Sequence, residues 1–105
     1  MSMETMADAL RRFEGRGYTD EFRAEREGLR SVRSGRVYPP ESLIVDDVAR
    51  FEGASDPGEE ATVFALRSEA EGIRGTYTVT FGPAMDAADA GMVPRLKEGR
   101  RSFPR

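Results

Sequence analysis

The segment from residue 73 to residue 81 constrains the fold more than any other, because its apolar and polar side chains alternate strictly. One face would carry Ile73, Gly75, Tyr77, Val79 and Phe81, and the other would carry Arg74, Thr76, Thr78 and Thr80. This period-two alternation, with β-branched residues on the polar side, predicts a β-strand. Because one face is apolar and the other polar, we expect the strand to belong to an antiparallel sheet.

Two further segments predict strands. Residues 43–51 alternate, and a regular strand would place the apolar side chains on one face, namely those of Leu43, Val45, Ala49 and Phe51. The same regularity would send the adjacent side chains of Asp46 and Asp47 to opposite faces. Residues 61–68 have apolar side chains on both faces, which is typical of a covered central strand. Between these two segments, residues 55–58 (Ser-Asp-Pro-Gly) predict a tight turn.

The segment from Tyr18 to Gly35 allows two interpretations. Tyr18, Phe22 and Ala24 suit one face of a strand, and residues 29–33 could return as its hairpin partner. Several arginines also recur at helical steps, but Gly28 in the middle of the segment would cost a helix about 1 kcal/mol relative to alanine. We therefore predict a hairpin.

Helices are predicted near both ends of the chain. A stripe at three- and four-residue steps predicts a helix over residues 3–14, formed by Met3, Met6, Leu10 and Phe13. Asp86 could cap a short C-terminal helix that carries Met92, Val93 and Leu96. The chain thus predicts an α+β fold of two layers: an N-terminal helix packed on a mainly antiparallel meander sheet of four or five strands. We expect a single domain over residues 1–97 and a flexible tail over residues 98–105.

Composition limits the chemistry that this chain could perform. It contains no cysteine and no histidine, which excludes thiol nucleophiles, disulfides, imidazole-ligated zinc and histidine-based catalytic triads within the chain. No stretch approaches the length of a membrane span. The N-terminal ten residues lack the basic run that opens a secretory signal, so we expect a cytoplasmic protein that does not contact the membrane.

Charge is distributed unevenly along the chain. Residues 10–36 hold eight arginines against five acids, whereas residues 37–71 hold two arginines against nine acids. An acidic middle segment between basic flanks argues against nucleic-acid binding, which favours a clustered basic surface. It is consistent with ion pairing within the chain, with the self-complementary surface of a homodimer, or simply with a mixed, solvated surface, which is the favoured interpretation. The arginines of residues 23–36 could bind an anionic partner, but glutamates interrupt them, so a mixed-charge surface is favoured there too.

The acidic segment also holds the candidate ligand-binding residues. Carboxylates of Asp46, Asp47 and Asp56 could supply oxygen ligands to Mg²⁺, although charged turns and strand edges are more often simply solvated. Arg50 and Glu52 would share a strand face, where they could recognise a polar ligand or pair with each other. Tyr77 would lie on an apolar face, packed in the core or lining a pocket.

Short motifs resemble those of a group of small uncharacterised bacterial proteins of similar length. These motifs are Gly17-Tyr18-Thr19 with Phe22, Tyr38-Pro39, Arg50-Phe51-Glu52-Gly53, Ser55-Asp56-Pro57 and a strand containing Gly75. The group often carries the label phosphoribosylpyrophosphate synthetase, which would imply Mg²⁺-dependent chemistry on a sugar phosphate. Gly58 replaces an acidic residue expected in the turn, which weakens a metal-binding role there.

The residues themselves favour a different function. Residues 44–48 match the hydrophobic and paired-aspartate start of a phosphoribosyl-diphosphate loop, but Arg50 and Glu52 follow where that loop needs small residues. A carboxylate at that point would repel a phosphate. We therefore predict a non-catalytic binding or regulatory module that has no cofactor and whose partner is an unknown protein or small molecule. The Mg²⁺-dependent sugar-phosphate function is the alternative.

Overall fold

The structure is a computed structural model that describes residues 4–52 and 60–99, without the side chains of residues 97–99. The elements are α1 (Met6–Gly15), β1 (Asp20–Ala24), β2 (Leu29–Ser31), β3 (Val37–Tyr38), a 3-10 turn (Pro40–Ser42), β4 (Ile44–Glu52), β5 (Glu60–Ser68), β6 (Ile73–Phe81) and α2 (Ala87–Gly99). The predicted hairpin of β1 and β2 is confirmed, as are both predicted helices. Met3, the turn predicted at residues 55–58, and residues 100–105 lie outside the described residues.

Helix α1 begins at a capping box. The Thr5 hydroxyl accepts a hydrogen bond from the Asp8 backbone N–H, and the Asp8 carboxylate accepts one from the Thr5 N–H, so two amides at the helix start are satisfied. The apolar stripe of the helix then packs through Ala9 and Phe13 onto strand β5. This contact fixes α1 on one face of the sheet.

Within residues 4–52 and 60–99, the sheet has six strands in the order β3-β2-β1-β6-β5-β4. Every neighbouring pair is antiparallel except β1 and β6, which run parallel. The predicted α+β class is confirmed, whereas the prediction of four or five strands in one antiparallel meander was wrong, because the sheet is mixed. The chain forms two three-stranded meanders, and the parallel pair joins them into one mixed sheet.

The parallel pair depends on the absence of a side chain at Gly75. Asp20 lies opposite Gly75 in the register, and Glu21 lies opposite Thr76. A Cβ atom at Gly75 would lie 2.7 Å from the Asp20 carbonyl oxygen and 2.8 Å from Cε2 of Phe22, which is closer than real Cβ contacts. Glycine at this position thus allows β1 to approach β6.

Helix α2 covers the opposite face of the sheet, so the expected two-layer architecture was also wrong. Residues of β5 alternate between the two helices: Val63 contributes to the cluster around α1, whereas Phe64 and Leu66 join the cluster that contains Met92 and Leu96 of α2. This alternation confirms that β5 is a central strand covered on both faces. Among the described elements, α1 covers one face of the sheet and α2 covers the other.

A β-bulge in β4 breaks the regular alternation that the sequence predicts. The register shifts between Val45 and Asp47, which leaves Asp46 as the extra residue. Val45 therefore packs in the cluster on the α2 face, whereas Ala49 and Phe51 pack against the cluster around α1. The prediction that the apolar residues of this strand share one face was wrong, because it assumed a strand without a bulge.

Candidate functional site

The bulge brings the side chains of Asp46 and Asp47 to the same face of the sheet, the face that carries α1. Arg67 donates two hydrogen bonds to the Asp46 carboxylate, of 3.0 Å from Nε and 3.1 Å from Nη2, and the Tyr18 hydroxyl donates a third. Desolvation acts to raise the pKa of Asp46, but the hydrogen bonds from Arg67 and Tyr18 outweigh it and lower that pKa. The expectation of opposite faces was wrong, and Asp46 is held as an ionised, bonded carboxylate.

Arg12 of helix α1 and Arg16, which directly follows the helix, approach the neighbouring Asp47. Its Oδ2 atom lies 3.5 Å from Nη1 of Arg16 and 3.8 Å from Nη1 of Arg12. Among the described residues, no group of three or more acidic side chains is placed to hold a metal ion. Asp56 lies outside the described residues, so the Mg²⁺ site predicted from Asp46, Asp47 and Asp56 stays a prediction.

Ion pairs link the basic segment of residues 10–36 to the acidic segment of residues 37–71. These pairs are Arg12–Asp47, Arg16–Asp47 and Arg36–Glu71. Pairing within the chain, one of the explanations for the uneven charge, is therefore confirmed. The homodimer stays a prediction.

Arg50 and Glu52 lie near the far end of β4. They face the same side of the sheet, as predicted, because they pair in register with Thr62 and Glu60 respectively. Arg50 Nε lies 3.7 Å from Oε2 of Glu60, so the arginine contacts a carboxylate of the neighbouring strand. Both partners are exposed, and a pair of this kind contributes about 0–1 kcal/mol.

Tyr77 lies on the apolar face that the alternation predicts, with 1% of its surface exposed. Its ring stacks on Phe64 at a centroid distance of 5.9 Å, and its hydroxyl donates a 2.6 Å hydrogen bond to Oδ1 of Asp89 in α2. Burial, followed by the hydrogen bond to the Asp89 carboxylate, raises the pKa of Tyr77 well above its usual range. Tyr77 thus joins the sheet to α2.

This raised pKa predicts a loss of stability in alkali. Because the folded protein binds the phenolic proton of Tyr77 more tightly than the unfolded chain does, the stabilisation is complete below the unfolded pKa of about 10 and is lost as the pH rises above it. One tyrosine contributes a slope of up to about 1.4 kcal/mol per pH unit. Urea unfolding of the wild type and of Tyr77→Phe between pH values of about 8 and 11 would measure it.

As the pH rises, the free energy of unfolding of Tyr77→Phe should fall less steeply than that of the wild type. The pH profile of the variant should not become flat, because two other tyrosines also have raised pKa values. Burial and Asp46 raise the pKa of Tyr18, and burial and Glu71 raise that of Tyr38. Parallel pH profiles for the two proteins would contradict this account of Tyr77.

The sequence-predicted residues that the structure describes therefore occupy three separate places: Asp46 and Asp47 beside α1, Arg50 and Glu52 at the far end of β4, and Tyr77 beneath α2. The structure does not bring them together into one pocket. A different set of residues surrounds a cavity of about 320 Å³ at one end of the sheet, which we call the loop cavity. Three connections line it: residues 17–19 after α1, residues 33–36 between β2 and β3, and residues 71–72 between β5 and β6.

A buried carboxylate organises one wall of the loop cavity. Asp20, the first residue of β1, accepts hydrogen bonds from the Ser31 hydroxyl and from the Arg33 backbone N–H. The Ser31 hydroxyl oxygen in turn accepts a hydrogen bond from the Ser34 N–H, and the Ser31 carbonyl accepts one from the Gly35 N–H. These bonds close a tight turn after β2, so the backbone that carries Arg33 is held in a defined position.

An ion pair and a tyrosine form the opposite wall. Oε1 of Glu71 accepts a 2.6 Å hydrogen bond from Arg36 Nη1 and a 3.2 Å hydrogen bond from the Tyr38 hydroxyl. These bonds connect the loop between β2 and β3 to the turn between β5 and β6. Gly72 in that turn has a φ of +73°, a backbone conformation that favours glycine.

Two arginines of the loop cavity form no ion pair with any carboxylate among residues 4–52 and 60–96. Arg33 donates a 3.3 Å hydrogen bond from Nη1 to the Thr19 hydroxyl oxygen. Arg74 donates a 3.2 Å hydrogen bond from Nη1 to the Arg16 carbonyl oxygen, and its guanidinium lies 5.7 Å from the centre of the Tyr18 ring. Each guanidinium has five N–H donors, so both retain donors that a ligand could use.

Sequence reasoning allowed an anionic partner for the arginines of residues 23–36 but favoured a mixed-charge surface, and it proposed neither Arg33 nor Arg74 as a site residue. A signal was present in Ser31, Ser34 and Gly35, which are turn-forming residues that surround Arg33. No pattern in the sequence links this turn to Arg74, which is more than one third of the chain away. Only the parallel pairing of β1 with β6 brings the two arginines to the same cavity.

Comparison with known proteins found no matching family model, no matching curated protein and no matching solved structure. The resemblance to the bacterial group labelled phosphoribosylpyrophosphate synthetase therefore stays a prediction. Within the described residues, no helix is long and apolar enough to cross a membrane.

Proposed function

We propose that this chain is a small, non-catalytic binding or regulatory module that holds an anionic ligand in the loop cavity. The observation that carries the proposal is the pair of arginines, Arg33 and Arg74, which line one cavity and form no ion pair with a described carboxylate. Arginine presents a planar fork of donors that matches the oxygens of a carboxylate or a phosphate. The ligand is accordingly a molecule that carries one of these two groups.

Binding without chemical conversion is supported by the state of the polar groups around the cavity. The chain has no histidine or cysteine, so carboxylates, tyrosines or its one lysine, Lys97, would have to supply any acid or base catalysis. Tyr38, the tyrosine that lines the cavity, donates its hydroxyl proton to the Glu71 carboxylate in a hydrogen bond. The Asp20 carboxylate is buried and accepts hydrogen bonds from the adjoining turn, and the Glu71 carboxylate is paired with Arg36. The hydrogen bonds of both carboxylates therefore stabilise the walls of the cavity.

The test is a two-dimensional amide NMR titration with inorganic phosphate and, separately, with acetate, at constant ionic strength. We expect saturable shifts in the amides of Gly17, Thr19, Gly72 and Arg74 with at least one of these anions. The double variant Arg33→Gln/Arg74→Gln should bind roughly tenfold or more weakly, because a hydrogen bond to a charged group contributes about 1.5–3 kcal/mol. Absence of saturable shifts with both anions would overturn the proposal.

Arg50→Gln is the matched control, because it removes the same charge from an exposed arginine at the other end of the sheet. It should leave anion binding unchanged. The same titration with Mg²⁺, followed by phosphoribosyl diphosphate, tests the alternative sugar-phosphate function. That alternative would be supported by Mg²⁺-dependent shifts at Asp46 and Asp47 that disappear in Asp46→Asn/Asp47→Asn.

The homodimer is part of the same proposal, and it rests on the uneven charge along the chain. Sedimentation at several salt concentrations would measure self-association. A strictly monomeric species at low salt and high protein concentration would remove the homodimer without affecting the anion site.

A further inference from the structure

Strand β4 forms one edge of the sheet and leaves its outer backbone groups without a partner strand. It is nine residues long, and within residues 4–52 and 60–99 only β5 pairs with it. The strand at the opposite edge, β3, has only two residues. Because an edge strand presents a row of free N–H and C=O groups, β4 offers the longer edge for a ladder with another strand.

The two halves of β4 are not equally open to such pairing. The bulge and the carboxylates of Asp46 and Asp47 protect the first half, because bulges and charges disfavour pairing along an edge. From Val48 to Glu52 the register with β5 is regular. Val48 on one face and Phe51 on the other are only partly buried. The second half is therefore a regular edge with apolar side chains that a partner strand could cover.

Charges on this second half are incompletely balanced within the chain. Glu52 lies directly opposite Glu60 of β5, and like charges at opposite positions destabilise an antiparallel pair. Arg50 approaches Glu60 at 3.7 Å but leaves 68% of its side chain exposed. Glu52 forms no ion pair within the described part of the chain. One face of the strand thus carries an exposed arginine and, two residues further on, a glutamate that lacks a cation.

We infer that the homodimer forms through β4, which pairs antiparallel with β4 of a second copy so that the two Phe51 residues lie opposite each other. In such a pair, related by a twofold axis normal to the sheet, the residue before Phe51 meets the residue after it in the second copy. Arg50 of each copy therefore lies opposite Glu52 of the other and supplies the cation that Glu52 lacks. The inference rests on the proposed function, which includes the homodimer, and it adds the surface that forms the dimer.

Charge selects this register and favours a second copy over an unrelated peptide strand. A twofold pair centred on Arg50 would place the two arginines opposite each other. A pair centred on Ala49 would bring the bulged Asp46 towards Glu52 of the second copy. In the register centred on Phe51, one strand supplies both halves of a complementary charge pattern, which is what a twofold interface requires.

Charge reversal tests this pairing, with sedimentation equilibrium at low salt as the measurement and circular dichroism as the check on folding. Arg50→Glu and Glu52→Arg should each weaken self-association roughly tenfold, because each turns two exposed ion pairs into like-charge pairs. The double variant Arg50→Glu/Glu52→Arg exchanges the charges and should recover association. An equimolar mixture of the two single variants should form a heterodimer, because its cross-strand pairs are again of opposite charge.

Arg23→Glu is the matched control for the reversals. Arg23 lies on strand β1 with 69% of its side chain exposed and approaches the Glu21 carboxylate at 3.4 Å, so its environment is similar to that of Arg50. The control should leave self-association unchanged. The inference would be overturned by a dimer that the β4 reversals do not weaken, or by single variants that associate no better when mixed.

The inference and the anion site fail in different ways. A wild type that stays monomeric removes the homodimer and its β4 surface, but it leaves the anion titration of the loop cavity unaffected. A dimer that persists in the reversed variants keeps the homodimer and removes only the β4 surface. Absence of anion binding removes the role of Arg33 and Arg74 and leaves the β4 test intact, because neither arginine takes part in the β4 pairing.

Discussion

Replacing Phe13 with alanine is expected to lower the free energy of unfolding by about 3–5 kcal/mol. Phe13 is fully buried between α1 and strand β5, where it packs with Ala9, Val63 and Ala65. Its ring also meets the ring of Tyr18 edge to face at a centroid distance of 6.1 Å, so loss of the Phe13 ring removes these contacts and leaves a cavity beneath α1. Because a domain of this size is stabilised by about 5–15 kcal/mol in total, the variant should be close to unfolding.

Urea denaturation followed by circular dichroism would measure this loss. Met6→Ala is the matched control, because Met6 lies on the same helix with 36% of its surface exposed, and its truncation should change stability by about 0.5 kcal/mol or less. A similar loss in both variants would mean that helix α1 does not pack on the sheet as described. An unchanged midpoint for Phe13→Ala would give the same conclusion.

Replacing Gly75 with alanine is expected to destabilise the protein by about 1–3 kcal/mol, through overpacking. The added methyl group would lie 2.7 Å from the Asp20 carbonyl oxygen and 2.8 Å from the Asp20 carbonyl carbon. Both are backbone atoms of β1, so relief requires the two strands to separate. The parallel pairing of β1 with β6, which connects the two meanders, would be destabilised. Asp20 belongs to this pairing, so the wall of the loop cavity that it supports would be destabilised too.

Gly91→Ala is the control for this change, because it makes the same substitution where nothing lies within 4 Å of the new methyl group. Gly91 is inside helix α2, so alanine should stabilise the protein by up to about 1 kcal/mol. In thermal unfolding, we expect Gly75→Ala to lower the midpoint temperature and Gly91→Ala to raise it. A neutral or stabilising effect of Gly75→Ala would contradict the parallel pairing of β1 and β6.

Local chemistry was enough to predict most elements of this fold. Alternation identified β6, apolar residues on both faces identified β5 as a covered strand, and Asp86 marked the start of α2, where its carboxylate accepts a hydrogen bond from the Ala88 N–H. Each signal depends only on neighbouring residues and on the period of a helix or a strand. Such signals can be read without knowledge of distant contacts.

The predictions from the sequence were wrong where contacts between residues far apart in the chain determined the structure. The bulge at Asp46 moves Ala49 and Phe51 to the α1 face, and nothing in the alternation of β4 indicates that one residue is skipped. The bulge is accompanied by bonds from Tyr18 and Arg67, which lie far from Asp46 in the sequence. The adjacent aspartates, which a regular strand would send to opposite faces, lie on one face, where both are paired with arginines.

The candidate site shows the same division. Residue types alone excluded histidine and cysteine chemistry and predicted a binding module, and turn-forming residues were visible around Arg33. The cavity itself depends on the parallel pair of β1 and β6, which places Arg33 and Arg74 around the same space. A sequence specifies strands through local periodicity, but their order in the sheet follows from which buried surfaces and close approaches fit together, and here Gly75 made that fit possible.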